Sequence, residues 1–190
     1  MENNRIVAEI QALAQLGFTG RQKAFHEQMA KDVKPVQCVP LKDVFTADEI
    51  RLIKKIAKPK RNQCYRNAAV LTGLFPSKVK YVEGYAYVPE LIPIEHAFNK
   101  VGDKYIDVTF ELALHYDVTK EEYATLIEAD EKELLECLND SGSDACYYVW
   151  HFERTYCNRE MAEKFDEQAL RVLEKSDGKI AAALKKAGTL

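Results

Sequence analysis

The sequence contains no apolar run approaching the ~18 residues needed to cross a bilayer, so no membrane-spanning segment is expected. Its start, Met1-Glu2-Asn3-Asn4-Arg5, lacks the basic opening and apolar stretch of a secretory signal. No Cys-x-x-Cys pair occurs, and His26, His96, His115 and His151 show no zinc-ligand spacing, which argues against a structural metal. No metal or organic cofactor is implied. Lys and Arg number 27 against 30 Asp and Glu, a net charge of -3, so the electrostatic footprint of a nucleic-acid binder is missing. Internal repeats and low-complexity tracts are also missing. The five cysteines, Cys38, Cys64, Cys137, Cys146 and Cys157, are odd in number and widely scattered. That pattern suits reduced thiols and a cytoplasmic location.

What remains is an ordinary globular composition: 190 residues, 47% hydrophobic and 30% charged, enough for one domain spanning 1–190. Three segments are expected within it: a helical N-terminal part (1–57), a core (58–118) and a mainly helical C-terminal part (119–190). Ile6, Val7, Ile10, Leu13 and Leu16 have helical spacing, and Thr19 is placed to cap a second helix from Arg21 to Lys31. Val36 to Val39 reads as extended. Thr46 with Glu49 forms a capping box for a helix carrying Ile50, Ile53 and Ile56 on one side, stopping before Pro59. Cys64 to Leu74 reads as a helix, Val79–Val88 and Ile94–Val101 as strands, and Lys104–Phe110 as a third strand after the two-residue turn Gly102-Asp103. Thr119 with Glu122 predicts a helix over 121–129, followed by one over 130–139. The run 145–157 has the aromatic content of a strand, but Ala145, Val149, Phe152 and Tyr156 keep helical spacing, which favours a helix over the strand alternative; further helices are expected at 158–175 and 179–186.

The chemistry concentrates between Asn62 and Phe110. Cys64 stands where a helix begins, so the positive end of the helix dipole favours its thiolate, and Arg61 and Arg66 lie near enough in sequence to add to this. Unpaired N–H groups of the first turn can hold an oxyanion, with Gln63 or Asn62 as side-chain donors. If Gly102-Asp103 is the whole turn, Val101 pairs with Lys104, His96 faces Thr109 and Asp107 faces Phe98. His96 and Asp107 then share a face as diagonal neighbours about 7–8 Å apart, within reach of a histidine–carboxylate bond. A three-residue turn would put them on opposite faces. Asn99 falls on the face opposite His96, so Asp107 is the better orienter. Glu83 and Glu95 read as solvated strand residues.

The order Cys64-Tyr65-Arg66-Asn67-Ala68 on a helix, Gly84-Tyr85 on a strand, then His96-Ala97-Phe98-Asn99 and Ile106-Asp107-Val108-Thr109 resembles the transglutaminase-like branch of the papain-like superfamily. Gln63 and Tyr65 stand where that family often has Gly or Trp, and Val108 replaces its proline. The resemblance implies an α+β fold in which a cysteine-bearing helix packs on a small antiparallel sheet between flanking helices. It implies Cys64 as nucleophile, His96 as base and Asp107 as its orienter. The expected reaction is thiol-dependent acyl transfer on a peptide or protein substrate: hydrolysis of an amide, peptide or isopeptide bond. Amine transfer as in a transglutaminase, glutamine deamidation, or a binding module without turnover are the alternatives.

Overall fold

A computed structural model describes residues 4–87, 92–142 and 146–157; the helices expected at 158–175 and 179–186, and the end of the strand expected to reach Val88, lie outside them. The chain opens with helix α1 (Arg5–Leu13), whose first turn is closed by the Asn4 side chain accepting from the Val7 N–H. α1 buries Ile6 and Ile10 one turn apart, and Leu16 lies beyond its end. Helix α2 (Gly20–Asp32) follows without a side-chain bond from Thr19, then the short strand β1 (Lys34–Val36). Helix α3 (Ala47–Leu52) begins with the expected capping box of Thr46 and Glu49. It passes into a π-helical turn, Ile53–Ala57, ended by Lys58 at φ 43°. A wider turn rotates the face, so Ile53 is buried while Ile56 is 52% exposed.

Helix α4 (Cys64–Leu74) starts at the cysteine. It packs on a five-stranded antiparallel sheet in the order β1-β5-β2-β3-β4. Strands β2 (Val79–Tyr87), β3 (Ile94–Val101) and β4 (Lys104–Ile106) form consecutive hairpins. Gly102 supplies the positive φ (61°) of the two-residue turn. Val101 pairs with Lys104 and Asn99 with Ile106, as the turn length requires. The third strand, expected to reach Phe110, stops at Ile106. Asp107 ends it: its Oδ1 accepts the N–H groups of Thr109 (2.9 Å) and Phe110 (3.0 Å), which folds the chain into a π-helical turn, Thr109–Leu114. The pairings of His96 with Thr109 and of Phe98 with Asp107 are therefore not made.

The helix expected over 121–129 is instead strand β5 (Glu122–Ala129), inserted between β1 and β2. The Thr119 hydroxyl bonds to Asp117 Oδ1 at 2.7 Å, so it opens no helix. Tyr123 and Ala124, neighbours on opposite faces, are both fully buried, as befits a strand covered on two sides. Helices α5 (Glu131–Ser141), with Asp130 and Glu133 in a capping box, and α6 (Tyr147–Tyr156) complete the described chain. Among the described residues, the third segment is thus less helical than expected, with a strand in place of its first helix. Among the described residues no helix is long and apolar enough to cross a membrane.

β5 contains a bulge. Gly84 pairs with Thr125 and Glu83 with Ile127, leaving Leu126 without a partner. The extra residue reverses which face later side chains take. Tyr123 joins Cys38, Val82, Phe98 and Phe110 on one side of the sheet, whereas Ala129 joins Ala68, Tyr81 and Ala97 beneath α4. The bulge also draws the backbones together at Gly84, where a Cβ would run into the carbonyl oxygen of Ala124. Gly84→Ala is expected to destabilise the protein by about 1–3 kcal/mol, read as a lowered urea midpoint with the slope unchanged.

Candidate active site

The hairpin brings His96 and Asp107 into direct contact. His96 Nε2 and Asp107 Oδ2 lie 2.6 Å apart, and the two side chains are 2% and 0% exposed. Asp107 is held from every side. Its Oδ1 takes the two N–H groups that end β4, and its Oδ2 also accepts the Tyr123 hydroxyl at 3.2 Å. Burial, reinforced by the Asp107 charge, pushes the Tyr123 pKa far up, so the phenol stays a donor. The imidazole lies against Phe110, with ring centroids 4.5 Å apart.

Because β4 ends at Ile106, residues 94–98 of β3 have no strand on their outer side. The first turn of α4 comes up to this open edge. Burial alone would raise the Cys64 pKa; His96 and the N–H groups of Ala97 and Tyr65 outweigh it and bring the pKa below the ordinary thiol value. For His96, burial opposes the charged form, but the charge and hydrogen bond of Asp107, with a smaller part from Cys64, push its pKa up to about 10. With Nε2 engaged by Asp107, Nδ1 is the ring nitrogen that remains. The arrangement favours a thiolate–imidazolium pair. Among the cysteines with a resolved shift, Cys38, Cys137, Cys146 and Cys157 are all raised, with burial as the main cause. Cys64 alone is lowered. All five are unpaired.

The arginines expected to assist Cys64 are turned elsewhere: Arg61 Nε donates to the Ala113 carbonyl and Arg66 to that of Ala57, each at 3.2 Å. Asn62, at φ 57°, and Gln63 are exposed in the approach to α4, and Gln63 makes no capping bond. The groups that lower the Cys64 pKa are His96 and the main-chain N–H groups of Ala97 and Tyr65. Asn99 points away from His96, as its position on the strand requires, and donates to Ala68 O (3.0 Å) and Thr72 Oγ1 (3.2 Å) of α4. His26 stacks on Phe18, and His151 on Tyr147; neither approaches the cysteine. Among the described residues no cluster of His, Cys, Asp and Glu could hold a metal.

Three supporting residues escaped sequence reasoning. Tyr123 was hidden by the helical reading of its segment, although its Tyr-Ala-Thr-Leu-Ile run is rich in strand formers. Asn67, fully buried in α4, accepts the Lys60 N–H (3.1 Å) and donates to Lys60 O (2.7 Å) and Thr109 Oγ1 (3.0 Å). It ties the loop before Cys64 to the residue that caps Asp107; a polar residue one turn along from Cys64, on the helix face shared with Ala68 and Leu71, was the available signal. Glu83 is the third, and is 2% exposed rather than solvated. Compared with protein-family models, curated proteins and solved structures, the chain finds no significant match.

The histidine pKa has a consequence for stability. A group raised from ~6.5 when unfolded to about 10 when folded contributes stability that is complete below the lower value and lost as pH rises through the higher one. The lowered Cys64 contributes with the opposite sign, its share vanishing as pH falls, and so masks part of the effect. In Cys64→Ser, which removes the thiol titration, the unfolding free energy should fall as pH rises from about 6.5 toward 10. Urea titrations from about pH 6.5 to 8, below the range in which the remaining thiols and phenols titrate, should show the slope, and it should be missing there when His96→Gln is added.

Proposed function

We propose that the protein is a cysteine-nucleophile acyl-transfer enzyme, acting through Cys64, His96 and Asp107 on an amide, peptide or isopeptide bond of a peptide or protein substrate. The observation that carries this reading is His96, bonded to a buried, fully satisfied carboxylate and lowering the pKa of Cys64, the one thiol so shifted. A cysteine at a helix start, beside a hairpin that carries the histidine and its aspartate, supports a papain-like or transglutaminase-like core within the mixed α/β architecture. The unpaired cysteines support a reducing, cytoplasmic setting.

In this reading the Cys64 thiolate attacks the carbonyl carbon, and the carbonyl π pair moves onto oxygen. The N–H of Tyr65 in the first turn of α4, released by the sulfur as its charge passes to the substrate, is then available to the oxyanion. His96, protonated and aligned by Asp107, gives its proton to the leaving amine as the C–N bond breaks. An acyl-enzyme thioester remains. Neutral His96 then takes a proton from water, whose oxygen attacks the thioester, and the thiolate leaves. An amine in place of water would give transfer rather than hydrolysis.

Iodoacetamide at pH 7 should alkylate Cys64 faster than Cys146 or Cys157, as mapped by peptide mass spectrometry. His96→Ala should bring Cys64 down to the rate of the others. Equal labelling of all three in the wild type would falsify the activated-thiol reading and leave a binding module as the better account. In an acyl-transfer assay, Cys64→Ser should abolish turnover with the circular dichroism spectrum unchanged. Asp107→Asn, which replaces an acceptor by a donor facing His96, should lower kcat by a factor on the order of 10²–10⁴.

A further inference from the structure

On the helix side of the sheet, a cavity of about 110 Å³ opens between α2, α6 and the start of α4. A water molecule needs only ~10–15 Å³, so the cavity has room for an unbranched chain of several heavy atoms. Its walls include Phe25, Met29, Tyr65, Tyr85 and Tyr148, largely apolar and aromatic. Two of its lining residues fix its relation to the reacting pair. Tyr65 follows Cys64 and Glu95 precedes His96, so each is one residue, about 3.8 Å of backbone, from the nucleophile or the base. Alternation along β3 sends Glu95 to the face opposite His96, and therefore into this cavity.

The cavity is negatively charged without being polar along its walls. Glu83 lies in its floor, where the Tyr81 hydroxyl (2.7 Å), the N–H groups of Tyr147 (2.7 Å) and Tyr148 (2.8 Å) and the Cys146 thiol (3.0 Å) all donate to it. Those donors fill its acceptor sites, so Glu83 lends charge but no free hydrogen bond. Glu95 differs: it is exposed at the rim and has no ion-pair partner among the described residues. The hydroxyls of Tyr65 and Tyr85 lie close enough for its charge to help burial raise their pKa values, that of Tyr85 to about 12. An exposed carboxylate and two tyrosines thus stand together in the lining of a largely apolar cavity. Tyrosine faces and a free carboxylate both favour a cation, whereas an acidic group would meet two like charges.

We infer that this cavity is the specificity subsite for a basic side chain of the acyl substrate, its apolar stem lying along Tyr65, Tyr85 and Met29 and its cationic head meeting Glu95. The inference rests on the reading of Cys64 as nucleophile, and its test separates the two. N-acylated lysyl and norleucyl chloromethyl ketones carry stems of the same length and differ in the terminal charge. Each alkylates a thiol by displacement of chloride, forming a C–S bond, and the rate at Cys64 is read by mass spectrometry in high salt, where distant charges are screened.

The lysyl reagent should modify Cys64 at least about tenfold faster than the norleucyl one, a difference of about 1.4 kcal/mol. Glu95→Gln should bring the ratio close to one, and Glu95→Lys should invert it. Circular dichroism checks that each variant is folded. A wild-type ratio near one, or a ratio that survives in folded Glu95→Gln, would overturn the subsite. Failure of the nucleophile reading has a different signature: both reagents would then alkylate Cys64 no faster than they alkylate a free model thiol.

Discussion

The rest of the structure depends on one buried contact, the 2.6 Å bond between His96 and Asp107. An ionised carboxylate taken out of water costs several kcal/mol unless its acceptor sites are filled. Here three parts of the chain fill them: β3 brings the imidazole, the turn after β4 brings two N–H groups, and β5 brings the Tyr123 hydroxyl. None of these donors is local to the cysteine, yet each sets how firmly the imidazole is held beside the sulfur. The pair is costly in isolation and inexpensive in this setting, because the sheet is built to surround it.

The same aspartate shapes the site in a second way. By capping the turn that follows it, Asp107 cuts β4 short, and a short β4 leaves the outer edge of β3 open at residues 94–98. An exposed sheet edge is normally a liability. Here α4 approaches it, and the Ala97 N–H at that edge helps lower the Cys64 pKa. Helix start, strand edge and carboxylate are thus one arrangement, and Asn67 locks it by linking the loop at Lys60 to Thr109.

Much of this was legible in the chain, because it depends on short-range rules. The two-residue turn at Gly102 gave the register, the register gave the shared face of His96 and Asp107, and the capping box at Thr46 and the apolar spacing of Cys64–Leu74 gave their helices. What escaped depends on contacts distant in sequence. Glu122–Ala129 carries a helix-start signal and strand-forming side chains together, and only the gap between β1 and β2 decides between them; with that choice went Tyr123. Glu83 looks like any charged strand residue until the N-terminus of α6, more than 60 residues later, arrives to meet it. The π-helical turn that exposes Ile56 likewise breaks a spacing rule that assumes a uniform helix.

The bulge at Leu126 makes β5 a frame-sensitive element. Its first half backs Asp107 and its second half lies beneath α4, and a single unpaired residue keeps the two in step. Point replacements there act locally, one side chain at a time. Loss of one residue would instead exchange inward and outward positions along one half of the strand, setting Glu128 toward α4 where Ala129 now packs. Over this segment the chain's length carries more information than the identity of most of its side chains, so variation in this protein should enter β5 by substitution and leave its residue count alone.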